Sequence, residues 1–210
     1  MGASLDNNII CIDEKEVICV ASIADRLIEE MVRAGAHLLD PSRLEELEKL
    51  VLAEPGGPGN HGAPRKEWVG KNAGAILDAL GVPAAGDPRI VLAETGPDHP
   101  FLWTELLMPV LPICRVPDRD AAIDLAVRVE HGFGHTASMH STNLDALSRM
   151  ARAVNTSIFV KNGPNYAGLG FGGEGHVSYT IASPTGEGLT DARTFTRPRR
   201  CVLVDRFRIV

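Results

Sequence analysis

The sequence predicts an α/β fold built on a mostly parallel sheet with helices on both faces. Short apolar, β-branched runs alternate along the chain with longer segments whose apolar residues recur at helical spacing. Strands that alternate with helices need crossover connections, which are typical of parallel sheets covered on both faces. The 210 residues, 44% apolar and 23% charged, are enough for a sizeable core in one domain, or one domain with an extension.

The first half of the chain is predicted to contain two strands and three helices. "EVICVAS" is a buried strand, and Ser22 is expected to cap a helix that runs through "IADRLIEEMVRAGAHLL". "DPSRLEELEKLVLA" is a second helix that begins near Asp40 or Ser42. Residues 54–64, rich in glycine and proline, are a loop. "VGKNAGAILDALG" is a third helix, which Gly81 can close, and "RIVLAE" is a strand.

The second half continues the alternation and ends in a β-rich segment. Prolines in "LMPVLPICRV" favour an extended segment, and "DRDAAIDLAVRVEHG" is a capped amphipathic helix. "TASMHS", "NLDALSRMARAV" and "SIFVKN" are strand, helix and strand, followed by the glycine loop "GPNYAGLGFGGEGH". The final "RCVLVDRFRIV" is predicted to be a strand of the kind that pairs with another chain, and therefore predicts a homo-oligomer.

Composition and charge argue against several classes of function. The formal net charge is −6 and no basic patch with interleaved aromatics occurs, which disfavours nucleic-acid binding. No apolar run approaches the roughly 20 residues that cross a bilayer. The four scattered cysteines form no C-x-x-C pair, which disfavours a zinc site, and with no signal peptide they favour a cytoplasmic location. The abrupt start "MGASLDNN" suggests a piece of a longer protein.

Cys11 in "DNNIICIDEK" is the first candidate for chemistry, and the residues leave two interpretations open. It could be a packed core thiol, since cysteine is one of the most buried residue types. It could instead be a nucleophile, which requires a thiolate favoured by nearby cations or helix ends. Lys15 is close in sequence, although its direction is not determined by the sequence. Cys19 and Cys114 lie in apolar runs that indicate core positions.

For three further features the sequence either leaves the role open or argues against a binding role. Glu105 lies among large apolar residues in "WTELLMPVLPI", so it must be hydrogen-bonded, paired or ligand-bound unless it is simply exposed. "GLGFGG" resembles part of a dinucleotide fingerprint, but no helix start follows it, so a structural loop with positive φ angles is favoured. His131, His135 and His140 are not spaced to share a face around a metal.

Together these motifs resemble the catalytic half of an aldehyde dehydrogenase of the CoA-acylating type found in bacterial microcompartments. "SLDNNIICIDEKEVICV" is similar to the nucleophile segment, and "TELLMPVLPICRVPDRDAAIDLA" resembles the superfamily segment E-x-F-G-P-V with its following helix. "EHGFGHTASMHSTN" resembles the acylating branch, and "KNGPNYAGLGFGGEGHVSYTIASPTGEG" is the most specific match. The resemblance spans essentially the whole chain.

The resemblance implies an activity and three site residues. A short aldehyde, propionaldehyde or acetaldehyde, would react with CoA and NAD⁺ to give acyl-CoA and NADH. Cys11 would be the nucleophile that forms first a thiohemiacetal and then an acyl-thioester. Glu105 would bind the nicotinamide ribose hydroxyls of NAD. Leu107 stands at the cofactor-binding position where the family has an aromatic residue, which departs from the motif.

The resemblance also sets expectations about domains and location. Residues 1–185 would form the nucleophile-bearing catalytic domain and residues 186–210 a tail with an oligomerisation strand, while the N-terminal NAD-binding domain of the family is not in this chain. The fragment alone is therefore expected to be inactive, and the protein to lie inside a bacterial microcompartment in the cytoplasm. Two alternatives stay open, an assembly module with an inert cysteine and a phosphate-activated reductase of the same superfamily.

Overall fold

The computed structural model describes residues 1–182, 188–202 and 204. The strands are β1 Val17–Val20, β2 Ala36–Leu38, β3 Leu52–Glu54, β4 Ala63–Pro64, β5 Ile90–Thr95, β6 Val110–Val116, β7 Thr136–Met139, β8 Ile158–Lys161, β9 Ile181–Ala182 and β10 Gly188–Leu189. The α-helices are α1 Ala21–Arg33, α2 Leu44–Val51, α3 Ala73–Ala79, α4 Arg119–Val129 and α5 Leu144–Val154. Short 3₁₀ segments are assigned at Gly2–Asn8, Pro41–Arg43, Lys66–Trp68, Pro100–Leu102 and Asn165–Leu169.

The centre of the fold is a four-stranded parallel sheet in the order β1-β6-β5-β2. A second parallel pair, β7 with β8, forms a separate small sheet. The pairs β3 with β4 and β9 with β10 are short and antiparallel. The prediction of a mostly parallel α/β architecture is confirmed.

Helices cover both faces of the central sheet. On one face Ile28 of α1 packs with Leu92 and Leu111 of the sheet. On the other face Val91 belongs to the cluster that α2 and α3 complete, and α4 covers the end of β6. Alternate residues of β5 therefore point to opposite cores, as the period of two in a strand requires.

The first helix differs from its sequence-based prediction at both ends. It starts at Ala21 with Val20 as the N-cap and has no side-chain cap, so the prediction that Ser22 caps it is wrong. It ends at Arg33, and Gly35 follows at φ +101°. Residues 36–38, predicted to be helical, instead form β2 beside β5. The partner strand supplies backbone hydrogen bonds that the local spacing does not reveal.

Local chemical signals mark several other helix ends, but the predicted bounds of the second helix are wrong, since α2 begins only at Leu44 after a 3₁₀ turn and ends at Val51, where β3 follows. The Asp40 carboxylate accepts a hydrogen bond from the Ser42 N–H at 2.8 Å. Gly81 follows α3 at φ +67°. Asp118 and Asn143 cap α4 and α5 through their side chains. These caps satisfy N–H groups that a helix start leaves without intrahelical partners.

The predicted C-terminal strand lies largely outside the described residues. Residues 203 and 205–210 are not described, and residues 201, 202 and 204 are not in a strand. In the described part of the chain no helix is both long and apolar enough to cross a membrane.

Candidate functional site

Cys11 is exposed on a tight turn just before β1, so it is not a packed core thiol. The Asp13 N–H donates to the Ile10 carbonyl at 3.0 Å and closes the turn. The next side chain, Ile12, is 1% exposed and packs in a cluster with Ile158 of β8. Burial of Ile12 anchors the turn against the small sheet and leaves the thiol of Cys11 outside. Cys19 and Cys114 are buried, as predicted.

The segment that leads into this turn has an unusual backbone. Asp6, Asn7 and Asn8 have φ angles of +44°, +55° and +62°, three consecutive non-glycine residues in the left-handed region. Asn and Asp tolerate this region best, but an L-residue there still costs roughly 1–2 kcal/mol. Asn8 is buried, and its amide donates to the Ala3 and Glu14 carbonyls, both at 2.8 Å. These contacts help to hold the conformation.

Lys15 points towards the turn, which answers the question that the sequence left open. Its ammonium donates to the Asn8 carbonyl at 2.7 Å, to Asn8 Oδ1 at 2.9 Å and to the Ile10 carbonyl at 3.1 Å. Glu105 Oε1 lies 3.9 Å from the same nitrogen, and the lysine side chain is only 15% exposed. Burial lowers the pKa of Lys15, and the nearby anionic groups, Glu105 first, oppose that shift.

Glu105 and Leu107 lie on the irregular segment between the 3₁₀ helix at 100–102 and β6. The Glu105 side chain is 49% exposed, whereas Thr104 and Leu106 on either side are buried. Leu107 is half-buried at φ +55°, and its carbonyl accepts a hydrogen bond from the Gly70 N–H at 2.9 Å. The segment thus presents one carboxylate at the surface beside Lys15 while its apolar residues are held in place.

The structure adds to this cluster three groups to which sequence reasoning gave no site role, namely His135, Glu130 and Glu16. His135 is half-buried, its backbone N–H donates to Glu130 Oε1 at 3.0 Å, and its Nδ1 lies 2.7 Å from Thr136 Oγ1. Burial lowers the pKa of His135, while Glu105 and Glu130 oppose the shift. Burial raises the pKa of Glu16 to about 7, and Lys15 opposes that rise. The cluster combines residues 15–16, residue 105 and residues 130–135, so it forms only when the fold brings three separate segments together.

Two other histidines, His61 and His131, form part of an aromatic cluster. The His131 ring lies 4.3 Å from His61 and 5.3 Å from Trp103, between ring centroids. Phe133 stacks 4.6 Å from His61, and His140 is exposed. Among the described residues no three His, Cys, Asp or Glu side chains are grouped to hold a metal ion.

The glycine loop after β8 has the positive φ angles that the sequence predicts. A turn and the 3₁₀ helix 165–169 follow β8, and no α-helix begins after "GLGFGG" in the described residues. Gly170 and Gly172 have φ angles of +96° and +70°. The strand–glycine–helix arrangement that cradles a pyrophosphate is therefore not formed there.

Comparisons with known proteins show strong similarity along the whole chain. No protein-family model matches it. The acetaldehyde dehydrogenase (acetylating) EutE of Salmonella typhimurium is 52% identical over 209 residues, which is 100% of this chain and 44% of that protein. The chain therefore spans less than half the length of this relative.

Two solved structures share the fold. Rhodopseudomonas palustris propionaldehyde dehydrogenase, with bound CoA and an acylated cysteine, superposes with a TM-score of 0.86 at 49% identity, over 96% of this chain and 45% of that one. A propionaldehyde dehydrogenase from the Clostridium phytofermentans fucose utilisation bacterial microcompartment gives 0.86 at 42% identity, over 98% and 46%. By sequence and fold, the chain belongs to the family of CoA-acylating aldehyde dehydrogenases.

Proposed function

We propose that this chain carries the nucleophile of an enzyme that converts a short aldehyde, propionaldehyde or acetaldehyde, with CoA and NAD⁺ to acyl-CoA and NADH. The observation that carries the proposal is Cys11, an exposed thiol on a turn fixed by buried Ile12 on one side and by Lys15 on the other. The names of the similar proteins support the substrate class. The chain matches about 44% of the relative's length, so other parts of such a site would belong to regions it does not match.

In the first step the Cys11 thiolate attacks the aldehyde carbon and gives a thiohemiacetal. The developing oxyanion needs hydrogen-bond donors at the place where the charge appears. The Cys11 backbone N–H is proposed as one of them, since no acceptor for it is found within the described part of the chain. Sulfur is suited to both halves of the reaction, because it is a strong nucleophile and a good leaving group.

Glu105 is proposed to bind the ribose of the nicotinamide half of NAD⁺, which supplies the hydride acceptor. A half-exposed carboxylate on an otherwise buried segment fits this role, since it can accept hydrogen bonds from two hydroxyl groups. Leu107 follows it with a fixed backbone and is proposed to line the same cofactor site. Once the substrate carbon is oxidised, Cys11 holds the acyl group as a thioester. Attack by the CoA thiol then forms acyl-CoA, and the Cys11 thiolate leaves.

We also propose that the enzyme is a cytoplasmic homo-oligomer inside a bacterial microcompartment. One similar structure comes from a fucose utilisation microcompartment, which supports this location. The β-rich C-terminal sequence supports association between copies. Residues 186–210 would then be an assembly tail beside a catalytic domain at 1–185.

The nucleophile is tested by Cys11→Ser in the protein at its full natural length. Acyl-CoA formation from propionaldehyde, CoA and NAD⁺ should fall by more than about a thousandfold, as expected when a catalytic nucleophile is removed. Cys201→Ser, which changes the other exposed cysteine, should retain wild-type turnover. Retention of activity by Cys11→Ser would refute the proposed function.

Glu105→Gln tests the cofactor role in the same assay. Each charge-assisted hydrogen bond contributes about 1.5–3 kcal/mol, so the KM for NAD⁺ should rise roughly tenfold or more while the KM for aldehyde changes little. Glu67→Gln, at an exposed glutamate of the 3₁₀ helix 66–68, is the matched control. An unchanged KM for NAD⁺ would refute the ribose role.

A further inference from the structure

Lys15 joins the parts of the site that the proposed mechanism uses separately. Its ammonium contacts the backbone on both sides of Ile9, at the Asn8 and Ile10 carbonyls, and it also contacts the Asn8 side chain. The same nitrogen lies 3.9 Å from Glu105, a residue 90 positions later in the chain. The proposed chemistry assigns no step to this lysine.

Lys15 is largely buried, and a largely buried ammonium contributes little net stability to a fold. Removing an ammonium from water costs several kcal/mol unless every donor is satisfied, and an apolar side chain of similar size is often at least as stabilising. An ammonium has three N–H donors, and Lys15 directs its short contacts to three acceptors on the Cys11 turn. The cation is thus committed to one loop conformation, which includes the left-handed residues 6–8.

Charge gives the same lysine a second connection to the chemistry. Favourable electrostatic interactions link it first to Glu105, then to Asp13 and then to Cys11. The pairing of β1 with β6 places the segments before these two parallel strands side by side, and these segments carry Cys11 and Glu105. Lys15 contacts both segments, the first through hydrogen bonds to the Asn8 and Ile10 carbonyls and the second through its ion pair with Glu105.

We propose that Lys15 is the positioning residue of this site, whose ammonium holds the Cys11 turn and the Glu105 carboxylate in one fixed relation. The inference rests on the proposed function and deepens it. The nucleophile and the carboxylate that binds the cofactor are then set by one cation, so that disturbing it misplaces both. Neither the aldehyde nor NAD⁺ contacts Lys15 in this role.

The test compares Lys15→Met, Lys15→Arg and the control Lys49→Met in the full-length protein. Lys49 is exposed on α2, where it forms an ion pair with Glu45. Cys11 alkylation by iodoacetamide at pH 7.5, followed by peptide mapping, should slow by at least about tenfold in Lys15→Met and by less than about threefold in Lys15→Arg, because the hydrogen bonds that hold the turn are lost in the first variant and can be remade by a guanidinium in the second. Cys201 in the same samples is the internal reference.

Steady-state kinetics separate positioning from fold stability. Lys15→Met should lower kcat and raise the KM for NAD⁺ together, at temperatures where thermal unfolding curves show the variant fully folded. Glu105→Gln should change the KM alone and leave Cys11 alkylation at the wild-type rate. Wild-type alkylation in Lys15→Met, or equal slowing in Lys15→Met and Lys15→Arg, would overturn the proposal, because the ammonium would then not act on the turn.

If Lys15→Met does not fold, a measurement on the unmutated protein tests the proposal instead. Trace acetylation with acetic anhydride should modify Lys15 at least about tenfold more slowly than Lys49, because the Lys15 side chain is only 15% exposed and its N–H groups are engaged with the turn, so the reagent cannot reach the nitrogen. Comparable rates would overturn the proposal. Failure of the proposed function is a separate result, since turnover in Cys11→Ser would remove the nucleophile role whatever the alkylation of Lys15 variants shows.

Discussion

At the scale of single residues, the turn that exposes Cys11 also buries an acid. Asp13 is 3% exposed, and neither carboxylate oxygen has a hydrogen-bond partner among the described residues. Burial raises the pKa of Asp13 to about 6, although Lys15 opposes the rise. A buried, unpartnered carboxyl destabilises the fold, so the sequence around Cys11 is not optimised for stability.

Asp13→Asn should therefore stabilise the protein in a pH-dependent way. Because the folded pKa is above the ordinary value near 3.9, the unfolded state loses its proton first, and stability falls as the pH rises from about 4 to about 6. The variant removes this loss, so urea unfolding should show a gain of about 1–3 kcal/mol at pH 7.5 and little gain at pH 4.

The matched control is Asp78→Asn, which changes an exposed aspartate of α3. It should alter the free energy of unfolding by less than about 0.5 kcal/mol at either pH. An equal gain for Asp13→Asn at pH 4 and pH 7.5 would contradict the titration of a buried acid.

Sequence reasoning selected some of the candidate site residues around the Cys11 turn and could not select others. Cys11 and Glu105 follow from motifs, because each stands in a short stretch with recognisable neighbours. The contact of Lys15 with Glu105, 90 positions later, depends on the pairing of β1 with β6. The hydrogen bond from the His135 N–H to Glu130 spans only five residues, but it depends on how the chain turns after α4. Neither contact is visible as a local sequence pattern.

At the scale of elements, the glycine loop shows how the most specific sequence motif serves packing. The 3₁₀ helix 165–169 packs against β8 and β7. A Cβ built on Gly168 would collide with Cγ2 of Ile158, and one on Gly173 would collide with the Ala167 carbonyl oxygen. Gly168 must be glycine because its backbone approaches β8 closely, and Gly173 because it approaches the 3₁₀ helix 165–169.

Gly168→Ala should destabilise the protein by about 1–3 kcal/mol, as expected for overpacking against a buried side chain. Ile158 belongs to the cluster that also holds Ile12, so the change should disturb the Cys11 turn as well. Thermal and urea unfolding measure the effect on stability, and the alkylation rate of Cys11 measures the effect on the turn.

Gly74→Ala is the control with the opposite expected sign. Gly74 lies in α3, and a Cβ there would meet only Asp87 Oδ1 at 3.9 Å. Replacing glycine by alanine in a helix should stabilise by about 0.5–1 kcal/mol. If both substitutions had the same sign, close packing at Gly168 would not be the reason for glycine in the loop.

Local signals also explain which element boundaries were predicted correctly. Asp118 and Asn143 have side chains that cap their own helices, so these starts are visible in the sequence. The start of α1 has no such side chain, and Ser22 offered a misleading one. Strand β2 was missed because Ala36–Leu38 continue a helical spacing and become a strand only beside β5.

At the scale of the whole molecule, the Cys11 turn is held between two sheets. Ile12 ties it to β8 of the small sheet, and the chain then enters β1 of the central sheet. The α/β class and the parallel direction of most strands were predictable, because alternating strands and helices allow few other arrangements. The division into two separate parallel sheets was not predictable, since it depends on which strand edges meet.

This arrangement predicts how the 210-residue chain behaves when purified alone. It should fold, since each face of the central sheet has its own buried cluster. It should show no appreciable NAD⁺-dependent oxidation of propionaldehyde, because the described residues contain no strand–glycine–helix unit to hold the adenosine and pyrophosphate of the cofactor. Cys11 should nevertheless react with iodoacetamide, since it is exposed and its turn is fixed by contacts within this chain.

The reason for the lost turnover is geometric. Hydride transfer requires the accepting carbon of the nicotinamide to lie within roughly 3–3.5 Å of the thiohemiacetal carbon. Correct placement of these two carbons can lower the activation barrier by about 7–11 kcal/mol. Losing most of that placement lowers the rate by several powers of ten, at about 1.36 kcal/mol per tenfold. The measurement is NADH absorbance with saturating propionaldehyde, CoA and NAD⁺, with Cys11→Ser as the blank and the full-length protein as the positive control. Turnover by the 210 residues near ~10 s⁻¹, an ordinary enzyme's rate, would show that the chain holds a complete cofactor site.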